Sequence, residues 1–471
     1  LDARANQLAH HLIALGVTPG SSVGLCLERS SLDMPVAVLA TLKAGAAYVP
    51  LDPNYPAERL SLMVKDTRAP VVLAHEGFVH ALPPDTSARI VTMETEVASL
   101  TSRPTSSPGV TLSPEAVCYV VFTSGSTGRP KGIAMSHRGI GNMLAWQLQR
   151  AVRAEATTLQ FASLNFDVSF QEIFGTWCIG GRLLLSTADL RRDPQALLRY
   201  LTQHRVERVF LPFVALQSIS DAARTVTELP PLNEVITAGE QLQVTPALVA
   251  LFERLPGCVL ENQYGPSETH AVSAWRASGP PSTWPALPPV GTPLNNVQAY
   301  VLDPRGNPCP IGVPGEVYVG GEGLAHGYYE RADLTAERFV PSPFSATPGA
   351  RLYRTGDKAR WLADGQLEFL GRLDGQVKLR GFRVELGEVE SALRALPDVR
   401  DVAAVVREDT PGFKRLVAYV LAQPEATFSP EALRQALARR LPEYMVPSAL
   451  VRMDALPLSP SGKVNRNGLP V

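Results

Sequence analysis

The sequence predicts an α/β fold: a large N-terminal lobe of two mostly parallel sheets with helices plus a barrel-like β subdomain, then a small α+β lobe. Three observations predict it. Short apolar runs alternate with helical stretches through most of the chain, the pattern of strands joined by crossover helices. From about residue 295, short strands separated by Gly turns take over. The C-terminal stretch carries two helical and two strand-like segments of its own.

Each element has a local reason. LDARANQLAHHL at the start is charged and reads as a helix, not a signal peptide. It begins without Met, so a fragment of a longer polypeptide is expected. SSVGLCLE reads as a strand, MPVAVLATLKAG as a helix ending at Gly45, and PVVLAH and ARIVTM as strands. AVCYVVFTSG is a buried strand running into a glycine-rich loop. The Pro/Ser-rich segments 101–114 and 279–291 read as surface loops. QAYVLDPRGNP, GEVYVGG and GQLEFLGR supply the short strands of the β subdomain. Near the end, ELGEVESALRAL places Leu386, Val389 and Leu393 on one helical face. SPEALRQALARRL has Ser429 as N-cap and Pro430 at the first helical position.

Composition bounds the function. The 471 residues correspond to one large unit plus a smaller one. Lys+Arg (44) nearly balance Asp+Glu (45), which argues against an electrostatic nucleic-acid binder. No apolar stretch approaches the ~18 residues of a membrane span. Cys26, Cys118, Cys178, Cys258 and Cys309 form no CxxC pair, so free thiols in a reducing cytoplasm are expected. Cys118 and Cys178 read as core residues.

The run FTSGSTGRPKG, 122–132, carries the first chemistry. Gly125 and Gly128 permit positive φ, so successive backbone N–H groups can face one concavity. Thr123, Ser124, Ser126 and Thr127 add hydroxyls and Lys131 adds a charge, a set suited to a polyphosphate. The spacing is not that of a Walker A loop. The bland alternative is a flexible Ser/Gly turn.

This run resembles the signature loop of adenylate-forming enzymes. LKAGAAYVPLD, NQYGPSE, GEVYVGGEGLAHGYY, YRTGD, GRLDGQVKLRGFRVELGEVE, LPEYMVP and SGKVNR follow in the order found in adenylation domains of nonribosomal peptide synthetases. The resemblance implies ATP and Mg²⁺ as cofactors, an amino-acid substrate, and phosphopantetheine supplied by a peptidyl carrier domain. It implies a neighbouring condensation domain and leaves room for a small MbtH-like protein; no nucleic acid or membrane partner is implied. It divides the chain into a core, 1–373, and a small lobe, 374–471, hinged at Asp374.

Roles follow motif by motif. Tyr264 offers a ring to adenine, and Asn262 a paired donor and acceptor. The resemblance adds Gly239 and Glu240 to the nucleotide site. Glu268 would hold Mg²⁺, which favours hard oxygens together with substrate phosphates. Asp357 would accept from both ribose hydroxyls, supported by Arg372. Lys463 would bridge the substrate carboxylate and the α-phosphate. One charge at ~4 Å in an effective dielectric of ~20 is worth about 4 kcal/mol, or roughly three decades of rate before screening.

FDVSFQE matches the pocket-forming motif, with Asp167 at the position that pairs an α-ammonium. Val168, Gln171, Phe213, Ile236, Ala238, Gln263, Ala271 and Val272 occupy the other pocket positions, and Lys463 closes it. The lining is mostly apolar with two amides and no charge to neutralise a charged side chain. The Asp-Val-Gln start resembles proline-activating domains, although Gln263 and Ala271 stand where His and Val are more usual. Proline or another small apolar amino acid is the expected substrate; hydrogen bonding of a polar side chain by the two glutamines is the other reading. Two further functions compete: an acyl- or aryl-CoA synthetase of the same superfamily, and a non-catalytic nucleotide-binding module. Asp167 argues against the first, and the presence of Lys463 and Glu268 against the second.

Overall fold

The structure is a computed structural model describing residues 1–125, 129–379, 381–410, 413–424, 428–457 and 465–470. Two seven-stranded sheets form the bulk of the large lobe. In the first, Ser22–Cys26 lies between Ala47–Pro50 and Val71–Ala74, all parallel, and Arg89–Thr92 extends one edge. On the other side Val117–Thr123 pairs in parallel with Ala47–Pro50 and antiparallel with Lys131–Ser136. The second sheet is parallel from Arg182–Leu185 through Thr157–Gln160, Arg208–Leu211 and Glu234–Ala238 to Val259–Tyr264, then turns antiparallel at Ser273–Arg276.

The inner parallel strands Ser22–Cys26, Ala47–Pro50, Val71–Ala74 and Arg208–Leu211 are buried end to end, as sheets covered by helices require. The helix Asp33–Lys43 ends just before Gly45, whose φ of +83° turns the chain into the next strand. The β subdomain is a five-stranded antiparallel sheet in which the long strand Arg351–Trp361 borders three neighbours.

From Gln376 onward the elements gather around their own core. The hairpin Gln376–Leu379/Phe382–Glu385 leads into the helix Leu386–Arg394 and a three-stranded sheet. Leu386, Val389 and Leu393 pack inward with Val402, Val420 and Leu437. The helix Pro430–Ala438 opens on the expected cap, the Ser429 hydroxyl accepting from the Ala432 N–H at 3.2 Å.

One burial expectation fails. Cys118 is buried in the first sheet, but Cys178 is exposed, because it follows the last turn of the helix Val168–Trp177 where the chain meets solvent. Among the described residues no helix is long and apolar enough to cross a membrane.

Candidate active site

The site is assembled where the first and second sheets, the β subdomain and the C-terminal hairpin converge. Thr123 and Lys131 face each other across the hairpin that carries the Ser/Gly loop. The Thr123 hydroxyl is buried with no hydrogen-bond partner, a polar atom left available for a ligand oxygen. Gly125 is not among the glycines of positive φ. It is needed for close approach instead: a Cβ there would sit 2.0 Å from the Arg129 carbonyl oxygen. The expectation of positive φ at this glycine is thereby corrected. Ser126, Thr127 and Gly128 lie outside the described residues.

Glu268 is the charged centre of the site and is fully buried. Its Oε1 accepts from the Tyr328 hydroxyl at 2.8 Å and from Lys131 Nζ at 3.4 Å. Its Oε2 accepts from Arg383 Nη1 at 2.7 Å. Burial alone would raise the carboxyl, but Arg383 and Lys131 outweigh it and hold Glu268 far below the usual carboxylate range. Burial brings Lys131 down to about 8, partly offset by Glu268. Its ammonium also lies 4.4 Å from the centre of the Tyr328 ring.

The ribose-type acceptor lies on the strand Arg351–Trp361. Asp357 Oδ1 receives Arg372 Nη1 at 2.8 Å, and Oδ2 receives the Tyr264 hydroxyl at 2.6 Å. Arg372 also grips Asp374, Nε to Oδ1 at 2.8 Å. Gly356, at φ +75°, is where this network approaches the backbone: a Cβ would meet Arg372 and Asp374 at 2.8 Å. Asn262 donates one N–H of Nδ2 to the Pro289 carbonyl at 3.1 Å, which leaves its side-chain oxygen and its second N–H without a partner among the described residues.

The substrate positions converge as well. Asp167 begins the helix Val168–Trp177, and its Oδ1 accepts from the Val168 N–H at 2.8 Å. Among the described residues no donor reaches its Oδ2. Gln171, one turn along the same face, donates to Gln263 Oε1 at 3.0 Å. Ala238 is in register with Gln263, and Ile236 with Glu261, so these side chains share one face of the second sheet. Phe213 opens the helix Phe213–Ala223, and the Val272 N–H bonds the Tyr264 carbonyl at 2.7 Å, which brings Ala271 and Val272 beside the end of the strand Val259–Tyr264.

Several functional neighbours escaped the sequence reading. His270 holds left-handed backbone at φ +54° and ties the Glu268 turn to the pocket. Its Nδ1 accepts from the Ala271 N–H at 2.9 Å, so Nε2 donates to the Asp167 carbonyl at 3.1 Å. Tyr328 and Arg383 lie inside quoted motifs, but nothing local says that they share Glu268. Contacts from the C-terminal elements were equally unread. Arg59 pairs with Glu388 at 2.9 Å, both buried, and Glu388 also accepts the Gly125 N–H. Glu240 accepts the Gly381 N–H at 2.9 Å and the Val214 N–H at 3.4 Å. Lys463 lies outside the described residues.

Residues 1–329 match the family described as AMP-binding enzyme, and residues 388–463 match its C-terminal domain. The chain belongs to the AMP-binding enzyme family. Within it, the adenylation domain is 41% identical to tyrocidine synthase 2 of Brevibacillus parabrevis over 473 residues, covering 100% of this chain and 13% of that protein. It is 42% identical to phosphinothricin tripeptide synthetase PhsC of Streptomyces viridochromogenes, again over 100% of this chain and over 42% of that one. It thus spans less than half the length of these relatives. An artificially fused adenylation–PCP di-domain from Klebsiella oxytoca superposes with a TM-score of 0.83 at 27% identity, over 96% of this chain and 87% of that one. A holo-NRPS protein containing adenylation and PCP domains, bound to a vinylsulfonamide inhibitor, superposes at 0.81 and 28%, over 98% of this chain and 77% of that one. Its class is that of the amino-acid adenylating ligases of nonribosomal peptide synthesis.

Proposed function

We propose that this adenylation domain joins the carboxylate of a small apolar amino acid, proline in the first instance, to AMP from ATP and then delivers the acyl group to a phosphopantetheine thiol of a carrier domain. The observation that carries the reading is the junction at His270. Its Nε2 donates to the backbone carbonyl of Asp167, which holds that residue and its free Oδ2 beside the turn carrying Glu268, two residues before His270 and itself in contact with Lys131. A carboxylate for an ammonium and cations for a polyphosphate then meet at one place. A substrate without the amine would leave Asp167 unpaired in a partly buried site, which disfavours fatty and aryl acids.

In the first step a substrate carboxylate oxygen bonds to the α-phosphorus of ATP. The bond from that phosphorus to the bridging oxygen breaks, and pyrophosphate leaves with the electron pair. No enzyme nucleophile is required, so positioning and charge do the work. Thr123, Ser124, Gly125, Ser126, Thr127, Gly128 and Lys131 hold the departing phosphates. Asp357 and Arg372 hold the ribose, and Tyr264, Asn262, Gly239 and Glu240 border the base. Lys463 supplies the cation between the two anions.

Glu268 suits Mg²⁺ as a single hard-oxygen ligand, since no cluster of three or more metal-binding side chains occurs among the described residues. When bound, the metal neutralises phosphate charge. In the arrangement seen here Arg383 takes Oε2 of Glu268, so that guanidinium has to withdraw before a cation uses the same oxygen. This supports motion of the lobe 374–471 about Asp374 between the two half-reactions. A neighbouring condensation domain and an MbtH-like protein belong to the same reading as partners.

The amides support an uncharged, apolar side chain. Gln263 is satisfied at both ends, by Gln171 and by Glu261, which makes it pocket wall rather than a free hydrogen-bonding arm. ATP–pyrophosphate exchange across a panel of amino, fatty and aryl acids tests the proposal. Exchange led by proline or another small apolar amino acid is expected. Exchange driven only by non-amino acids would overturn it.

A further inference from the structure

Behind the pocket wall lies a chain of polar contacts that none of the mechanistic roles uses. Glu261 and Gln263 are two residues apart on the strand Val259–Tyr264 and point to the same side of the sheet. Gln263 Nε2 donates to Glu261 Oε1 at 2.9 Å, and Gln171 Nε2 donates to Gln263 Oε1 at 3.0 Å. All three residues are buried. Glu261 is anchored from the other side: its Oε2 receives Arg276 Nε at 3.1 Å and Arg150 Nη2 at 3.3 Å. Arg276 also reaches Glu234, which pairs with Arg208 at 2.6 Å. Glu261 faces Arg276, and Glu234 faces Arg208, across neighbouring strands.

A primary amide is nearly symmetric in shape, and its two orientations differ only in which end donates. Nothing in the shape of Gln263 chooses between them. Glu261 does. Guanidinium groups only donate, so its carboxylate is fixed as an acceptor toward Gln263. The NH₂ end of Gln263 must therefore face Glu261, and its carbonyl must face Gln171. That in turn commits one N–H of Gln171 to Gln263 and turns Gln171 Oε1 away from that contact. No donor among the described residues reaches that oxygen.

We propose that Glu261 is a positioning residue for side-chain selection, setting the direction of the Gln171–Gln263 amide pair so that Gln171 offers its carbonyl oxygen to the pocket. This rests on the reading that Gln171 and Gln263 line the amino-acid pocket. Such a wall tolerates apolar side chains and disfavours those whose oxygens would meet Gln171 Oε1, carboxylates and side-chain carbonyls above all. With a neutral amide in place of Glu261 the direction is no longer imposed. Gln263 can turn, Gln171 follows, and an N–H faces the substrate.

The test is Glu261→Gln, read by ATP–pyrophosphate exchange with apolar, amide-bearing and acidic amino acids. KM for the preferred apolar amino acid should rise at least fivefold, and kcat/KM for amide-bearing relative to apolar substrates about tenfold, while KM for ATP stays within twofold. In a Gln263→Met background the same substitution should change selectivity by less than twofold, because the relay is already cut. If Glu261→Gln does not fold, Glu261→Asp carries the same prediction: it keeps a charge for Arg150 and Arg276 but shortens the reach to Gln263. An unaltered selectivity profile, equal rises in KM for ATP and amino acid, or a full effect persisting in the Gln263→Met background would overturn the role of Glu261. A parent protein that exchanges with no amino acid would overturn the amino-acid reading and this inference with it.

Discussion

Two buried carboxylates in this molecule, Glu268 and Glu261, look alike in isolation and are used differently. Each is almost wholly buried and each is held by two cationic groups. The cations on Glu261 come from Arg150, at the end of its helix, and from Arg276 on the adjacent strand, so both belong to the large lobe. Those on Glu268 come from Lys131 in the first sheet and from Arg383 on the C-terminal hairpin. A buried charge cannot be left unpaired without large cost. A carboxylate whose partners share its lobe is therefore held by fixed neighbours, whereas one with a partner on a separately packed lobe depends on how that lobe docks. The comparison teaches that partner origin, rather than burial, separates a fixed wall from a working centre.

The largest expected effect concerns the side that depends on docking. Lys463→Ala should lower adenylate formation by about 10²-fold or more while ATP binding changes much less, measured by ATP–pyrophosphate exchange against nucleotide titration. Equal rates for variant and parent would remove the reason for the lobe to move.

Next comes Asp167→Ala. Losing a charge partner for the α-ammonium at a partly buried site costs about 2–3 kcal/mol, so KM for the amino acid should rise by roughly 30- to 160-fold with KM for ATP little changed. A matched rise for both substrates would mean that the helix start, not the ammonium, is what Asp167 serves.

Arg383→Ala sharpens the contrast directly. If Arg383 serves Glu268 only in the arrangement seen here, acyl transfer to a carrier thiol should fall about tenfold while pyrophosphate exchange stays within about threefold. Loss of exchange alone would contradict that assignment.

The smallest effect lies on the fixed side. Glu172 is a buried residue of the pocket helix Val168–Trp177, accepting from the Phe161 and Ala162 N–H groups, both at 3.0 Å. Burial pushes its carboxyl up to about 8, against the lowering pull of those N–H groups and Arg29. The folded state thus holds a proton that the unfolded chain releases near its ordinary 4.5. Stability is fully supported below that value and should decline as pH rises through the window to about 8. A fall in Tm of a few degrees across that window, flattened in Glu172→Gln, is the expected result. A Tm that is flat in the parent would place the proton elsewhere.

Much of this was legible in residue order. Alternating apolar runs specify strands and helices through local sterics, and Ser429 before Pro430 marks a helix start wherever it occurs. The hairpin that sets Thr123 opposite Lys131 follows from a strand entering a Ser/Gly loop and a second apolar run leaving it. Gly125 was read correctly as required but for the wrong property, since contact with the Arg129 carbonyl is a fact of loop packing rather than of φ preference. Cys178 was misplaced because helical periodicity does not say where a helix emerges from the core. Tyr328 and Arg383 were visible only as motif letters, because their shared partner lies 60 and 115 residues away.

By itself the sequence determined the α/β layering, the residue types able to bind a polyphosphate, a diol and an ammonium, and membership of an adenylating family. These rest on spacings of two to four residues and on motifs that carry their own turn chemistry. Only the tertiary structure decided which cation serves which carboxylate. That assignment depends on strand register and on how the C-terminal hairpin docks over the large lobe, both set by packing across long separations. The same docking makes the pairing of Glu268 depend on the second lobe, and the same register keeps that of Glu261 within the large lobe.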